Sequence, residues 1–411
     1  HPEARLSEIG RELKVANVLE GSVHREGNRI RVNAQVVDVE QGFQLWSGVY
    51  DRDLTDIFAV QDEIARTVVQ ELKGTLLPGS GPIVIQHRTT RPAAYNEYLL
   101  ARHFFDMGTQ DGFARAIAAL ERALAIDPRY APAWAWLSVT LLNSAPFLSS
   151  PEEVDRAAGR AMAAAERAVA LAPDLAESWS ARGWMRTTIS WDWAGARSDL
   201  ERAVALRPRD PNILLRESRL LALRGRMREA IEEARKVLEL DPLYAWAWTF
   251  LAIYYDGDGQ PEQARDAAAR ALEIAPEQIY ALRELAMANL LAGDPRTALR
   301  LFQHNRFDVI RLVGTALAEH DLGDERASQA ALDALRTRYA DREAYEIALV
   351  YAWLGQNDTA FQWMDRAVAQ HGGGGMSRLA MRSITFEPLL RKVRADPRYA
   401  ALLARMQVPR D

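Results

Sequence analysis

The chain has 411 residues, 48% of them hydrophobic and 26% charged, which is too long for one compact core and too apolar for a disordered polymer, so several domains or a lengthening repeat array are expected. A formal net charge of −5 offers no long-range attraction to phosphate backbones or anionic lipid, so nucleic acid and direct membrane contact are disfavoured. The absence of cysteine excludes disulfides, zinc–thiolate sites and thiol nucleophiles, and neither an apolar run of about 18 residues nor a signal-type core is found.

In chain order, residues 3–14 read as a helix, and alternation then replaces helical periodicity. "ANVLEGSVHR" and "RIRVNAQVVDV" flank "EGN", with Val18, Gly21 and Val23 in the first run and Ile30, Val32, Ala34 and Val36 alternating in the second, the pattern of a β-hairpin. A third strand, "FQLWSGVYDR", follows the turn "EQG", and a helix over 55–73 opens at Thr55 or Asp56 as N-cap. The residues Gly10, Leu13, Leu19 to Ser22, Arg31, Gln35, Asp38, Gly42, Leu45 to Trp46, Tyr50 to Arg52 and Phe58 to Ile64 resemble the second half of a TolB-like amino-terminal domain found upstream of repeat arrays in bacterial signalling proteins. That resemblance implies a partial α/β domain over 1–78 and a linker over 79–93. It also implies that relatives carry a class III nucleotide cyclase, a winged-helix domain or a serine/threonine kinase further upstream, so the chain is expected to be a fragment of such a protein or a short relative.

From about residue 94 one helical ending recurs: "LERALAIDP", "AERAVALAP", "LERAVALRP", "ARKVLELDP" and "AARALEIAP". The closing prolines Pro128, Pro173, Pro208, Pro242 and Pro276 are 45, 35, 34 and 34 residues apart. With Trp248, Ala252, Tyr255, Gly259, Ala264, Ala271 and Pro276, the unit 245–278 resembles the tetratricopeptide signature, whose period is about 34 residues. Small residues such as Ala264 and Ala271 let helix axes approach, aromatic residues fill the gaps, and the proline ends the second helix. Three further units keep the small residues and lack the closing proline. The predicted fold is mainly α: a tetratricopeptide-repeat superhelix of about eight helix-turn-helix units over 94–375, preceded by a small α/β domain with a three-stranded sheet. The insert "NSAPFLSSPEE" at 143–153 is expected to protrude as a loop, "HGGGG" at 371–375 to be a hinge, and 376–411 to cap the open end as helices.

No catalytic signature is present: H-E-x-x-H, G-x-x-x-x-G-K-[ST] and G-x-S-x-G are all absent, and the seven histidines lie singly. "DGDGQ" at 256–260 mimics a calcium loop without its closing glutamate and reads as an interhelical turn. "WDW" at 191–193 reads as packing rather than a stacking platform. No enzyme activity, cofactor or metal is expected.

What remains is surface. First helices line the concave side of such an array, and the register assigns Tyr98, Arg102, Trp184, Leu215, Arg219, Trp246, Thr249, Arg283, Met287, Arg311 and Tyr345 to a partner-binding groove. Aromatics and arginines are enriched at binding hot spots, so Arg219, Arg283 and Arg311 would meet carboxylates of a peptide while Trp184 and Trp246 bury its apolar side chains. The expected function is a non-catalytic protein-interaction scaffold. The alternative is the regulatory or sensor region of a bacterial cyclase, kinase or transcriptional regulator. Cytoplasmic location is expected, or periplasmic if a membrane span lies upstream, and self-association through the α/β domain is a further expectation.

Overall fold

Alternating residues build the first unit as an antiparallel meander in the order β1 (Asn17–Glu26), β2 (Arg29–Asp38), β3 (Gln44–Asp53). The computed structural model describes residues 10, 15–27, 29–39, 44–53, 60–67, 88–370 and 375–409. Gly10 and residues 60–67 are helical. The remainder of the helices predicted over 3–14 and 55–73, the turn "EQG", the linker as far as 87 and residues 371–374 of "HGGGG" lie outside the described residues. Val18 pairs with Val37 and Val23 with Val32. A register shift between Val36 and Val37 brings two successive valines of β2 into the core beside Ile30 and Ala34, as a bulge does. On β1, Leu19 and Val23 stay exposed.

The chain divides into two units between Tyr95 and Asn96. Helices make up the second: α1 (Pro92–Asp106) and α2 (Gln110–Ile126), α3 (Ala131–Ser144) and α4 (Pro151–Leu171), α5 (Ala176–Met185) and α6 (Trp193–Leu206), α7 (Pro211–Leu223) and α8 (Met227–Leu240). The pairs continue as α9 (Ala245–Asp258) and α10 (Pro261–Ile274), α11 (Ile279–Leu291) and α12 (Pro295–His304), α13 (Asp308–Leu322) and α14 (Glu325–Tyr339), and α15 (Ala344–Trp353) and α16 (Asn357–Ala369). These helix pairs form a tetratricopeptide-repeat superhelix. A short α17 (Gly375–Ala380), two 3-10 turns and α18 (Pro397–Arg405) complete it.

Two local devices explain the repeated residues. The tryptophan six residues after a closing proline donates from Nε1 to that proline's carbonyl: Trp134 to Pro128 at 2.9 Å, Trp179 to Pro173 at 2.8 Å and Trp248 to Pro242 at 2.9 Å. Each bond satisfies a carbonyl at a helix end and ties one unit to the next. Gly225, Gly259, Gly293, Gly323 and Gly355, with φ from 73 to 84°, turn the chain left-handed between paired helices, a region other residues enter at a cost. In the third unit that slot belongs to Trp191, at φ 52° after a π-turn over Arg186–Ser190.

The alanines lie where axes approach: Ala230, Ala234, Ala264, Ala268, Ala271 and Ala298 have no measurable exposure. The insert does not protrude. Ala145 and Pro146 are buried in a 3-10 turn, Phe147 meets Phe307 edge-on at 5.2 Å, and Arg342 donates to the Leu148 carbonyl. Its apolar half is drawn inward because it spans from the second unit to the seventh and eighth. Trp191 and Trp193 are both buried, and Trp193 Nε1 donates to the Met406 carbonyl at 2.8 Å.

Candidate functional site: the concave face and its cavity

The stretch 375–394 crosses the inner face of the superhelix. A Cβ at Gly375 would overlap the backbone of Ala145. The buried Arg378 pairs with Asp155 at 2.6 Å, and Ser377 N donates to Glu343 at 2.8 Å. Thr385 Oγ1 donates to the Leu223 carbonyl at 2.9 Å and Arg391 to the Asp256 carbonyl at 2.6 Å. Phe386 sits edge-on to Tyr254, over Gly257, where a Cβ would stand 3.1 Å from its ring. At the array's end the 3-10 turn over Pro388–Val393 packs on α15, and α18 on α16. A segment that reads as a terminal cap thus touches the second, third, fourth, fifth and eighth helix pairs.

Beneath this segment is a cavity of about 110 Å³. Of the predicted groove residues it gathers Trp184, Arg219, Trp246, Thr249, Arg283 and Met287. Tyr98 and Arg102 line a separate polar cavity of about 90 Å³, in which Arg216 donates to Ser180 at 2.8 Å. Leu215 is buried between the two. Arg311 pairs with Asp308 and stays part-exposed. Tyr345 is wholly buried in the core.

The cavity is polarised. At one end Arg219 lies 3.3 Å above the Trp184 ring and 4.0 Å from that of Phe250, and Arg382 lies 3.9 Å from Trp184. Among the described residues neither guanidinium has a carboxylate partner, although Arg382 Nε donates to the Leu379 carbonyl at 2.7 Å. Burial lowers the pKa of both, Arg382 to about 9, and Arg382 lowers that of Arg219 further. Arg382 Nη1, Trp246 Nε1 and Tyr280 Oη are buried without a hydrogen-bond partner.

The opposite end is acidic. Arg283 holds Glu284 at 2.5 Å, while both carboxyl oxygens of Asp256 and Oε1 of Glu346 are unpartnered. Burial first, then the neighbouring Glu284, raises Asp256 to about 9. Burial likewise raises Glu346 to about 7 and the nearby Glu343 to about 8. Desolvation dominates because burial strips water from the ionised carboxylates.

Sequence reasoning missed Asp256, Glu284, Glu346, Arg382 and Glu387. A signal existed for two of them. Glu346 is the lone charge in "AYEIALVYAW" of α15, and Glu284 with Arg283 interrupts the otherwise apolar "IYALRELAMANLL" of α11. A lone charge in an apolar helix faces a partner or a cavity.

No known family profile matches the chain. It is 41% identical over 138 residues to putative adenylate cyclase 3 of Rhizobium meliloti strain 1021, a match that covers 34% of this chain and 24% of that protein. Among solved structures, the Cut9–Hcn1 hetero-tetramer of the APC/C aligns with a TM-score of 0.51 at 15% identity, over 85% of this chain and 59% of that one. The thermophilic tetratricopeptide protein TTC0263 of Thermus thermophilus aligns with a TM-score of 0.39 at 22% identity, over 48% of this chain and all of that one. The Cut9 likeness extends to the fold. No helix among the described residues is long and apolar enough to cross a membrane.

Proposed function

We propose that the chain is a non-catalytic scaffold whose concave face binds a peptide or partner protein. One observation carries this reading: the face already accommodates a length of polypeptide, its own 375–394, through backbone carbonyls of inner helices and an aromatic pocket around Phe386. A partner with apolar side chains like those of that segment, and with carboxylates for the groove's cations, would bind beside or in place of it. Arg102 and Arg311 are groove cations that remain part-exposed, so they are the ones placed to meet it. Changing both to Glu should abolish affinity capture of partners from the cognate lysate and leave the helical circular dichroism intact. Undiminished capture by that variant rules out the groove.

The identity to a putative adenylate cyclase favours a second reading, in which the array is the regulatory region of a cyclase; residues 1–78 would then be the second half of a TolB-like domain, as their sequence resemblance implies. Sequencing the gene upstream of His1 tests it, since a cyclase domain in frame is required. In either reading the cytoplasm is the proposed location, or the periplasm if an upstream span precedes the array.

A further inference from the structure

At the basic end of the cavity Arg382 Nη1, Trp246 Nε1 and Tyr280 Oη have no hydrogen-bond acceptor. Two guanidiniums share the Trp184 ring, and among the described residues neither is paired with a carboxylate. Trp246, only 7% exposed, and Tyr280 line the same cavity, and the Trp246 indole N–H and the Tyr280 hydroxyl are buried without a partner. Buried like charges without a counterion are strongly unfavourable, and buried donors are nearly always satisfied. Arginine pairs on an aromatic platform match oxyanions, which accept several charge-assisted bonds at once. At the other end both carboxyl oxygens of Asp256 and Oε1 of Glu346 have no partner, suited to a hydroxyl-bearing tail.

We propose that this cavity is a binding site for a small organic oxyanion, a carboxylate or phosphate monoester, whose charged group sits between Arg219 and Arg382 with Trp246 Nε1 and Tyr280 Oη as further donors. The ligand's polar tail meets Asp256 and Glu346. Because Arg382 belongs to the crossing segment and Arg219 to α7, the anion ties that segment to the array. The site stands whether or not the outer groove binds a peptide.

Calorimetry and thermal melting of the full chain with inorganic phosphate, glycerol phosphate and succinate test this, with sodium chloride at matched ionic strength as control. At least one oxyanion should bind saturably and raise the melting temperature while chloride does not, with glycerol phosphate tighter than inorganic phosphate if phosphate is the class. Arg382→Gln should weaken that binding by about tenfold or more, since a charge-assisted bond is lost. Hydrogen exchange on the unmodified chain supplies a readout independent of variant folding: the oxyanion should slow exchange at 376–388. No saturable binding, equal binding by Arg382→Gln, or protection confined to other segments would overturn the site.

Discussion

The outer stack and the inner lining of the array follow opposite rules. Outside, the second helices pack on the first helices beside them through repeated alanines with no exposure, such as Ala234, Ala264, Ala268 and Ala298, and the same Trp-to-proline-carbonyl bond recurs. Inside, the residue type changes along the array, through Trp184, Arg219, Arg283, Glu284 and Glu346, and the two glutamates are buried. Repetition therefore supplies stacking, and the departures from it supply chemistry. The inner lining should thus respond to charge and pH, while the outer stack responds only to volume.

The largest effect should come from the lining. Arg283→Met would strand Glu284 and its acidic neighbours in a low-dielectric site, which costs about 3–5 kcal/mol when one partner of a buried pair is removed. The urea midpoint of the variant measures this, and an unchanged midpoint would make the lining as tolerant as a surface.

Next is pH. The carboxyls of Glu346, Glu343 and Asp256 have folded values of about 7, 8 and 9, all raised above their unfolded values. Between about pH 5 and those values the native array holds protons that the unfolded chain has released, so stability falls as pH rises. The slope approaches about 1.4 kcal/mol per pH unit for each such carboxyl. Melting temperatures should decline from mildly acidic to mildly basic pH, and Asp256→Asn should remove part of the decline. A melting temperature that rises over this range contradicts the assignment.

The smallest of the three belongs to the stack. Ala264→Phe overpacks a close helix contact and should cost about 1–3 kcal/mol, with no change in pH dependence. If it altered the pH slope, stack and lining would not be separable.

The stack was legible in the sequence because its contacts recur within one period, so Pro242, Trp248, Gly259 and Ala264 identify their roles locally. The sheet was legible from alternation, apart from the bulge that adds Val37 to the core. The path of 375–394 was not. Its anchors lie far away in sequence, as Arg378 with Asp155 and Arg391 with Asp256 show, and no periodicity encodes such pairings. For the same reason the insert at 143–153 reads as an exposed loop, although Phe147 is held by Phe307. The cavity was half legible: register alone gathered Trp184, Arg219, Trp246 and Arg283, but Arg382 arrives on the crossing segment and Asp256 lies in what reads as a turn.

That crossing segment also changes how the array should unfold. In an open solenoid each unit touches only its neighbours, so units can fray from an end independently and the transition broadens. Here Trp193 is bonded to Met406 and Arg378 to Asp155, bringing the third unit to the stretch after α18 and the second to the start of the crossing segment. Residues that follow the eighth helix pair must be in place before the early units are complete, so folding carries the loop-closure entropy of long-range contacts and proceeds more slowly than local stacking would. Loss of the crossing segment would convert one cooperative unit into a series of weakly coupled ones.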